Sequence, residues 1–168
     1  MTQSANTIKL PVGGANLRRA MGRFLTGVTI ITVCDAALCP YGLTVNSFNS
    51  VSLTPPLVLW SLDKRNLELQ TFKKASGFAV NIMSAEQVDL CYRFAAADDR
   101  FTGCNWHIGN FGQPVLDDAL VSMECRHWAE YDGGDHVIFV GEVLSLAEKN
   151  GTPLAFFEGK FGRYDPLG

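Results

Sequence analysis

The sequence predicts a mainly β fold, an antiparallel barrel whose open parts are covered by a few short helices. Three observations predict it. About six or seven segments carry the alternation or the β-branched content of strands. They do not alternate regularly with long helices, which argues against a parallel doubly wound sheet. Sixteen glycines and eleven phenylalanines suit tight turns and aromatic packing between strands.

In chain order, residues 1–15 read as a flexible N-terminal arm, broken by Pro11 and Gly13-Gly14, and residues 16–168 as one domain. Asn16 is placed to cap a helix in which Leu17, Met21, Phe24 and Leu25 recur at helical spacing until Gly27. Val28–Val33 is β-branched and reads as a strand, and Asp35–Pro40 as a turn. After the stretch Gly42–Asp63, Asp63–Asn66 reads as a polar hinge. Leu67, Leu69, Phe72 and Ala75 suggest a short helix, and Phe78–Met83 a strand. Ser84 and Gln87 match a capping box opening a helix with Val88, Cys91, Tyr92 and Ala95. Residues 97–114 form a long irregular segment too aromatic for a disordered one. Leu120–Tyr131 and His136–Leu146 flank Asp132-Gly133-Gly134-Asp135, a hairpin signal. Leu154–Tyr164 reads as the last strand.

The bulk numbers exclude several function classes. A chain of 168 residues, 47% hydrophobic, with mean hydropathy +0.08, is long enough for one core. Net charge −3 and a pI near 5.5 leave no basic footprint for nucleic acid. No apolar run approaches the roughly 20 residues of a membrane helix, and the N-terminus lacks the pattern of a secretory signal. Five irregularly spaced cysteines without CxxC fit a reduced, cytoplasmic protein.

The most informative stretch is Gly42–Asp63. Thr44, Asn46, Ser47, Asn49, Ser50 and Ser52 place six small polar side chains within nine residues. Pro55-Pro56 then stops the pattern, and the apolar run Leu57–Leu62 follows. Hydroxyls, amides and backbone N–H groups of this kind bind a phosphate or a polar heterocycle. The same residues also serve as ordinary turn formers, so both readings stand at this point. No GxGxxG follows a strand, and neither a P-loop nor a GxSxG elbow is present.

Other candidates are weaker. Cys104/His107 and Cys125/His127 match no zinc template, so no metal is expected. Cys91 has no local base and reads as core. His136 opens a strand after a Gly-Gly-Asp turn, at a sheet rim or simply in solvent. Glu124 and Glu142 read as outward-facing sheet residues. Lys64 and Arg65 suit either a phosphate or a solvated strand end, and Arg100 a surface ion pair.

The order of these features is specific. MGRFLTGVTIITV at 21–33, GLTVNSFNSVSLTPPLVLWSLDKR at 42–65, FAVNIMSAEQ at 78–87, RFTG at 100–103 and GDHVIFVGEV at 134–143 carry a resemblance to the short-chain flavin reductase family. These proteins are the reductase components of two-component flavin-dependent monooxygenases. The resemblance runs from about Leu17 to Tyr164, nearly the whole chain. It implies a flavin-binding split barrel, an antiparallel Greek-key barrel working as a homodimer. It implies hydride transfer from NADH or NADPH to FMN or FAD, with reduced flavin passed to a separate monooxygenase. By the same resemblance, Thr44, Val45, Asn46 and Ser47 hold the isoalloxazine edge, and Ser50, Val51 and Ser52 lie along the ribityl–phosphate region. Ser61, Asp63, Lys64 and Arg65 hold the phosphate end, while Asn81, Arg100 and Phe101 touch flavin or close the pocket. His136 and Tyr164 meet the nicotinamide. No acid–base residue is required, since hydride transfer belongs to the cofactors. The alternative is a non-catalytic flavin-binding barrel acting as carrier or sensor, against which the Gly-Asp-His block weighs.

Overall fold

The computed structural model describes residues 8–96 and 99–166. Residues 1–7 of the expected arm lie outside the described residues, as do residues 97–98. Helix α1 runs Gly14–Met21 with Gly13 as N-cap. The cap expected at Asn16 is corrected: its amide donates back to the Pro11 carbonyl from inside the first turn. Phe24 and Leu25 lie beyond the helix, before the short strand β1 (Thr26–Gly27).

One antiparallel sheet of seven strands forms the body. Its members are β2 (Thr29–Cys34), β3 (Pro40–Val45), β4 (Asn49–Leu53), β5 (Pro56–Asp63), β6 (Gly77–Ile82), β9 (Val121–Gly133) and β10 (His136–Glu148). Their spatial order is β3-β2-β6-β9-β10-β5-β4. The sheet curls until the chain after β3 reaches β5, where the Ser47 hydroxyl bonds both the N–H and the carbonyl of Ser61. β3 and β4 remain edges that do not pair with each other, so the barrel is split between them. This is the mainly β barrel the sequence predicts.

The helices cover the barrel as expected. Helix α2 (Leu69–Lys74) inserts Phe72 into the core. Helix α3 (Val88–Ala96) follows a 3-10 turn at Ala85–Gln87, and Gln87 Oε1 accepts the Ser84 N–H at 2.9 Å, completing the capping box. Two segments differ from expectation. Within 97–114 lies β7 (Trp106–Ile108), paired with β8 (Pro114–Leu116). Leu154–Tyr164 is not one strand but a hairpin of β11 (Leu154–Phe157) and β12 (Lys160–Arg163). Its turn holds Glu158 at φ 49° and Gly159 at φ 78°, the left-handed pair that reverses a two-residue hairpin.

Two apolar clusters sit on opposite faces of β2, all six residues of which are buried. Inside the barrel are Ile31, Val33, Trp60, Phe72, Phe78 and Phe139. Between the sheet and α3 are Ile30, Met83, Cys91, Phe94, Leu116 and Leu154. Strand alternation on β5 buries Val58, Trp60 and Leu62, so Trp60 faces the core and Ser61 the other side.

Candidate functional site

The polar stretch runs from the end of the edge strand β3 through the link at residues 46–48 into the other edge strand, β4, and that placement builds the site. Arg100 bonds the Gly42 carbonyl from outside the sheet at 2.6 Å. Backbone groups alternate in direction with a period of two along a strand. The N–H and C=O of Thr44 therefore face the same uncovered side, and Asn46 follows directly after the strand. The Val45 carbonyl faces inward, where it accepts the Thr29 hydroxyl. An edge of this kind offers a row of donors and acceptors with no neighbouring strand to take them.

Beside that edge lies an apolar cleft of about 270 Å³. Its rim is Thr44, Val45 and Asn46; its wall is Tyr92 of α3 with Phe156 and Phe161 of the β11–β12 hairpin. Tyr92 and Phe161 meet edge to face with centroids 4.9 Å apart, and Phe156 and Phe161 lie 5.5 Å apart. The Thr44 hydroxyl donates to the Cys91 carbonyl at 2.7 Å, which ties the rim to α3. Flat aromatic walls facing an edge of backbone donors and acceptors suit one planar heteroaromatic ring system. The sequence places Tyr92 on the helix after the capping box but gives none of the three wall residues a role in a site. Phe156 and Phe161 were hidden inside what read as a single strand, and the Glu158-Gly159 turn was the available signal.

From the rim, the Ser47–Ser61 clasp leads to a charged end. His136 stands opposite Asp63 in the β10–β5 register. Its Nδ1 lies 2.8 Å from Asp135 Oδ1, and 41% of its side chain is exposed. Arg65 grips Asp63 through Nε and Nη2, the latter at 2.6 Å, and through its backbone N–H. That grip holds the Asp63 carboxyl far below the usual carboxylate range. Lys64 Nζ contacts Asp132 at 2.8 Å, and the Lys64 N–H donates to Asp135 O. Asp132 is held low mainly by Lys64, and Asp135 mainly by its hydrogen bond to His136. Both cations are thus paired with carboxylates, so an incoming phosphate would compete for them.

The other expected site residues divide. Ser50 and Val51 lie on the exposed edge strand β4, while the Ser52 hydroxyl accepts the Thr54 N–H in the turn to β5. Pro55-Pro56 is thereby the corner between those strands. Tyr164 follows β12 and is exposed. Asn81 is corrected: it is fully buried, donating to Ile30 O and Thr32 Oγ1 and accepting the Leu116 N–H, so it offers no surface to a cofactor. Phe101 packs on Phe94 and Trp106 in the second core cluster. Arg100 is half-buried against Glu68 and the Gly42 carbonyl, not the exposed ion pair its sequence neighbours suggested.

Glu124 is a further correction. It is 5% exposed rather than outward-facing, and its two carboxylate oxygens accept the N–H groups of Asn110 and Phe111. Glu142 pairs with Arg126 on the neighbouring strand. Burial pushes the thiols of Cys91 and Cys125 up to about 12, far from the range of a nucleophile at neutral pH.

Comparison with known proteins identifies the family. Residues 21–165 match the family model described as a flavin reductase like domain. The chain is 46% identical over 155 residues to the FMN reductase (NADH) SmoA of Agrobacterium fabrum, covering 90% of this chain and 88% of that one. It is 37% identical over 151 residues to the reductase subunit HsaB of a flavin-dependent monooxygenase from Rhodococcus jostii, covering 89% and 77%. Its fold superimposes with a TM-score of 0.85 on an NADH:FAD oxidoreductase of Streptomyces globisporus in complex with NAD and FAD fragments, at 38% identity over 90% of this chain and 93% of that one. A curled seven-stranded barrel, small polar residues crowded from the end of β3 through β4 and a match over nearly the whole chain lead to one conclusion: the chain belongs to the flavin reductase-like family.

Proposed function

We propose that this protein is an NAD(P)H:flavin oxidoreductase that reduces FMN or FAD and supplies the product to a separate monooxygenase acting on an aromatic or similar substrate. The observation that carries the reading is the apolar cleft of Tyr92, Phe156 and Phe161 set against the uncovered edge of β3. An isoalloxazine has two flat apolar faces and one edge of alternating donors and acceptors, and this site complements both. Thr44, Val45, Asn46 and Ser47 would hold that edge. Ser50, Val51, Ser52, Ser61 and Asp63 would line the path toward the phosphate, with Lys64 and Arg65 at its end. His136 and Tyr164 would orient the nicotinamide. The bound flavin supplies the hydride-accepting chemistry, and the chain supplies alignment and exclusion of water.

Neutral hydroxyls and backbone groups suit this task, because they hold the ring without adding a strong charge beside it. A carrier or sensor needs no second ring site, whereas His136 stands at the rim with its imidazole oriented by Asp135. We further propose a cytoplasmic homodimer. The free cysteines suit a reducing compartment. Helix α1 buries none of its residues, and Leu17, Met21, Val51 and Leu53 are exposed, which supports a partner surface.

The test is anaerobic. Purified protein is mixed with FMN or FAD, then with NADH or NADPH, and the yellow flavin absorbance is followed. Rapid bleaching is expected; tight flavin binding with no bleaching by either nucleotide would favour the carrier. Initial rates for the four pairs identify the preferred couple. In the same assay, His136→Ala is expected to raise the nicotinamide KM by about tenfold while leaving the flavin KM within about twofold. An unchanged nicotinamide KM and turnover would remove His136 from the site.

A further inference from the structure

We infer that Arg100 is a positioning residue of the flavin cradle, which clamps the Gly42 carbonyl and so aims the backbone of Thr44 without itself touching flavin. The inference rests on the flavin reading proposed above. It starts from a mechanical problem. β3 is an edge strand, held in the sheet on one side only by β2. The segment that would grip the ring is the end of that strand, where edges are least constrained.

Arg100 answers that problem from across 58 residues of sequence. One nitrogen, Nη1, donates to Gly42 O at 2.6 Å and reaches Glu68 Oε2 at 2.7 Å and Oε1 at 2.9 Å. The ion pair is shielded, with side-chain exposures of 19% for Arg100 and 25% for Glu68. Its far end is fixed in turn. The Glu68 N–H donates to Asn66 Oδ1 at 2.8 Å, and Glu68 begins the helix that buries Phe72 in the barrel.

The neighbour of Arg100 acts on the same point. Phe101 packs edge to face on Phe94 at 5.0 Å. The Phe94 ring in turn lies so close over Gly42 that an added Cβ would stand 2.7 Å from it. Gly42 is therefore pinned through its carbonyl and through its α-carbon. Two residues on, the Thr44 hydroxyl is tied to Cys91 O. Between these tethers the outward-facing backbone of Thr44 is held in one orientation, and pre-set donors bind a rigid ring at lower entropic cost than mobile ones. Arg100 and Phe101 thus serve the cradle from behind it.

The experiment uses the full chain and reads flavin affinity by quenching of FMN fluorescence, with thermal midpoint and nicotinamide KM measured alongside. Arg100→Gln is expected to raise the FMN Kd about tenfold, the size of one lost charge-assisted hydrogen bond, with the nicotinamide KM within about twofold. Arg100→Lys keeps one bond and should recover part of the loss. Glu68→Gln separates the mechanisms, because it removes the charge that anchors the guanidinium at Glu68 and leaves the guanidinium itself in place. Action through the clamp predicts weaker FMN binding and faster amide exchange at Leu43, whose N–H faces Ile31 on β2, whereas direct contact with flavin predicts no change in that exchange. Should Arg100→Gln fail to fold, Arg100→Lys and Glu68→Gln decide the matter. FMN affinity unchanged in these variants, or a fall in thermal midpoint alone, overturns the clamp. Failure of the wild-type protein to bind FMN or FAD instead overturns the flavin reading, so the two failures are distinct.

Discussion

Replacing Trp60 by alanine is expected to cost about 3–5 kcal/mol of folding stability, the range for deleting a large buried aromatic. The ring is 0% exposed. It stacks on Phe139, its cross-strand partner, at 4.7 Å and 12°, and takes the edges of Phe72 at 5.3 Å and Phe78 at 5.8 Å. No single neighbour can relax into the space, because each is held by a different element. Among the described residues the indole N–H has no acceptor. Trp60→Phe is therefore expected to lose far less, since it keeps the stack and removes an unsatisfied donor. Urea unfolding of the three proteins measures both differences. A Trp60→Ala loss below about 1 kcal/mol would mean that this cluster does not hold the barrel.

Glu124→Ala is expected to cost about 3 kcal/mol, because it leaves two backbone donors without their charged acceptor and opens a void. Those donors belong to Asn110 and Phe111, bonded at 2.9 and 2.7 Å. Glu124→Gln keeps one acceptor oxygen and should lose less. The decisive measurement is amide exchange at residues 110 and 111: it should accelerate in Glu124→Ala while Ile31 and Phe139 stay protected. Equal protection in wild type and variant would refute the assignment of Glu124 as the anchor of the 109–113 loop.

Glu124 also shows how sequence reading fails. Alternation alone puts one of two adjacent strand residues outside, and Cys125 takes the inside position. Both are in fact buried, because residues 109–113 fold over the outer face at that point. Nothing in the local pattern reports that a segment more than ten residues away covers a strand. Asn81 misled in the same way. An amide within FAVNIM looks like a ligand contact until Thr32, Ile30 and Leu116 are seen to satisfy it. The cleft wall was invisible for a third reason: Tyr92, Phe156 and Phe161 meet only when α3 and the last hairpin dock on the same edge.

What the sequence determined by itself is what depends on neighbours a few residues apart. The runs at 28–33 and 57–62, the capping box at Ser84–Gln87 and the hairpin around Gly133-Gly134 are written in side-chain branching and turn chemistry. So is the polar crowding at 44–52, together with the ordered blocks that carry the family resemblance. The tertiary structure alone decided which of those polar groups face the open edge and the cleft beside it. That depends on β3 lying at an edge, on Trp60 taking the core so that Ser61 does not, and on Arg100 reaching Gly42 across 58 residues. The physical reason is range. Backbone periodicity is fixed within two to four residues, whereas burial and partnership are fixed by whatever the closed chain brings alongside.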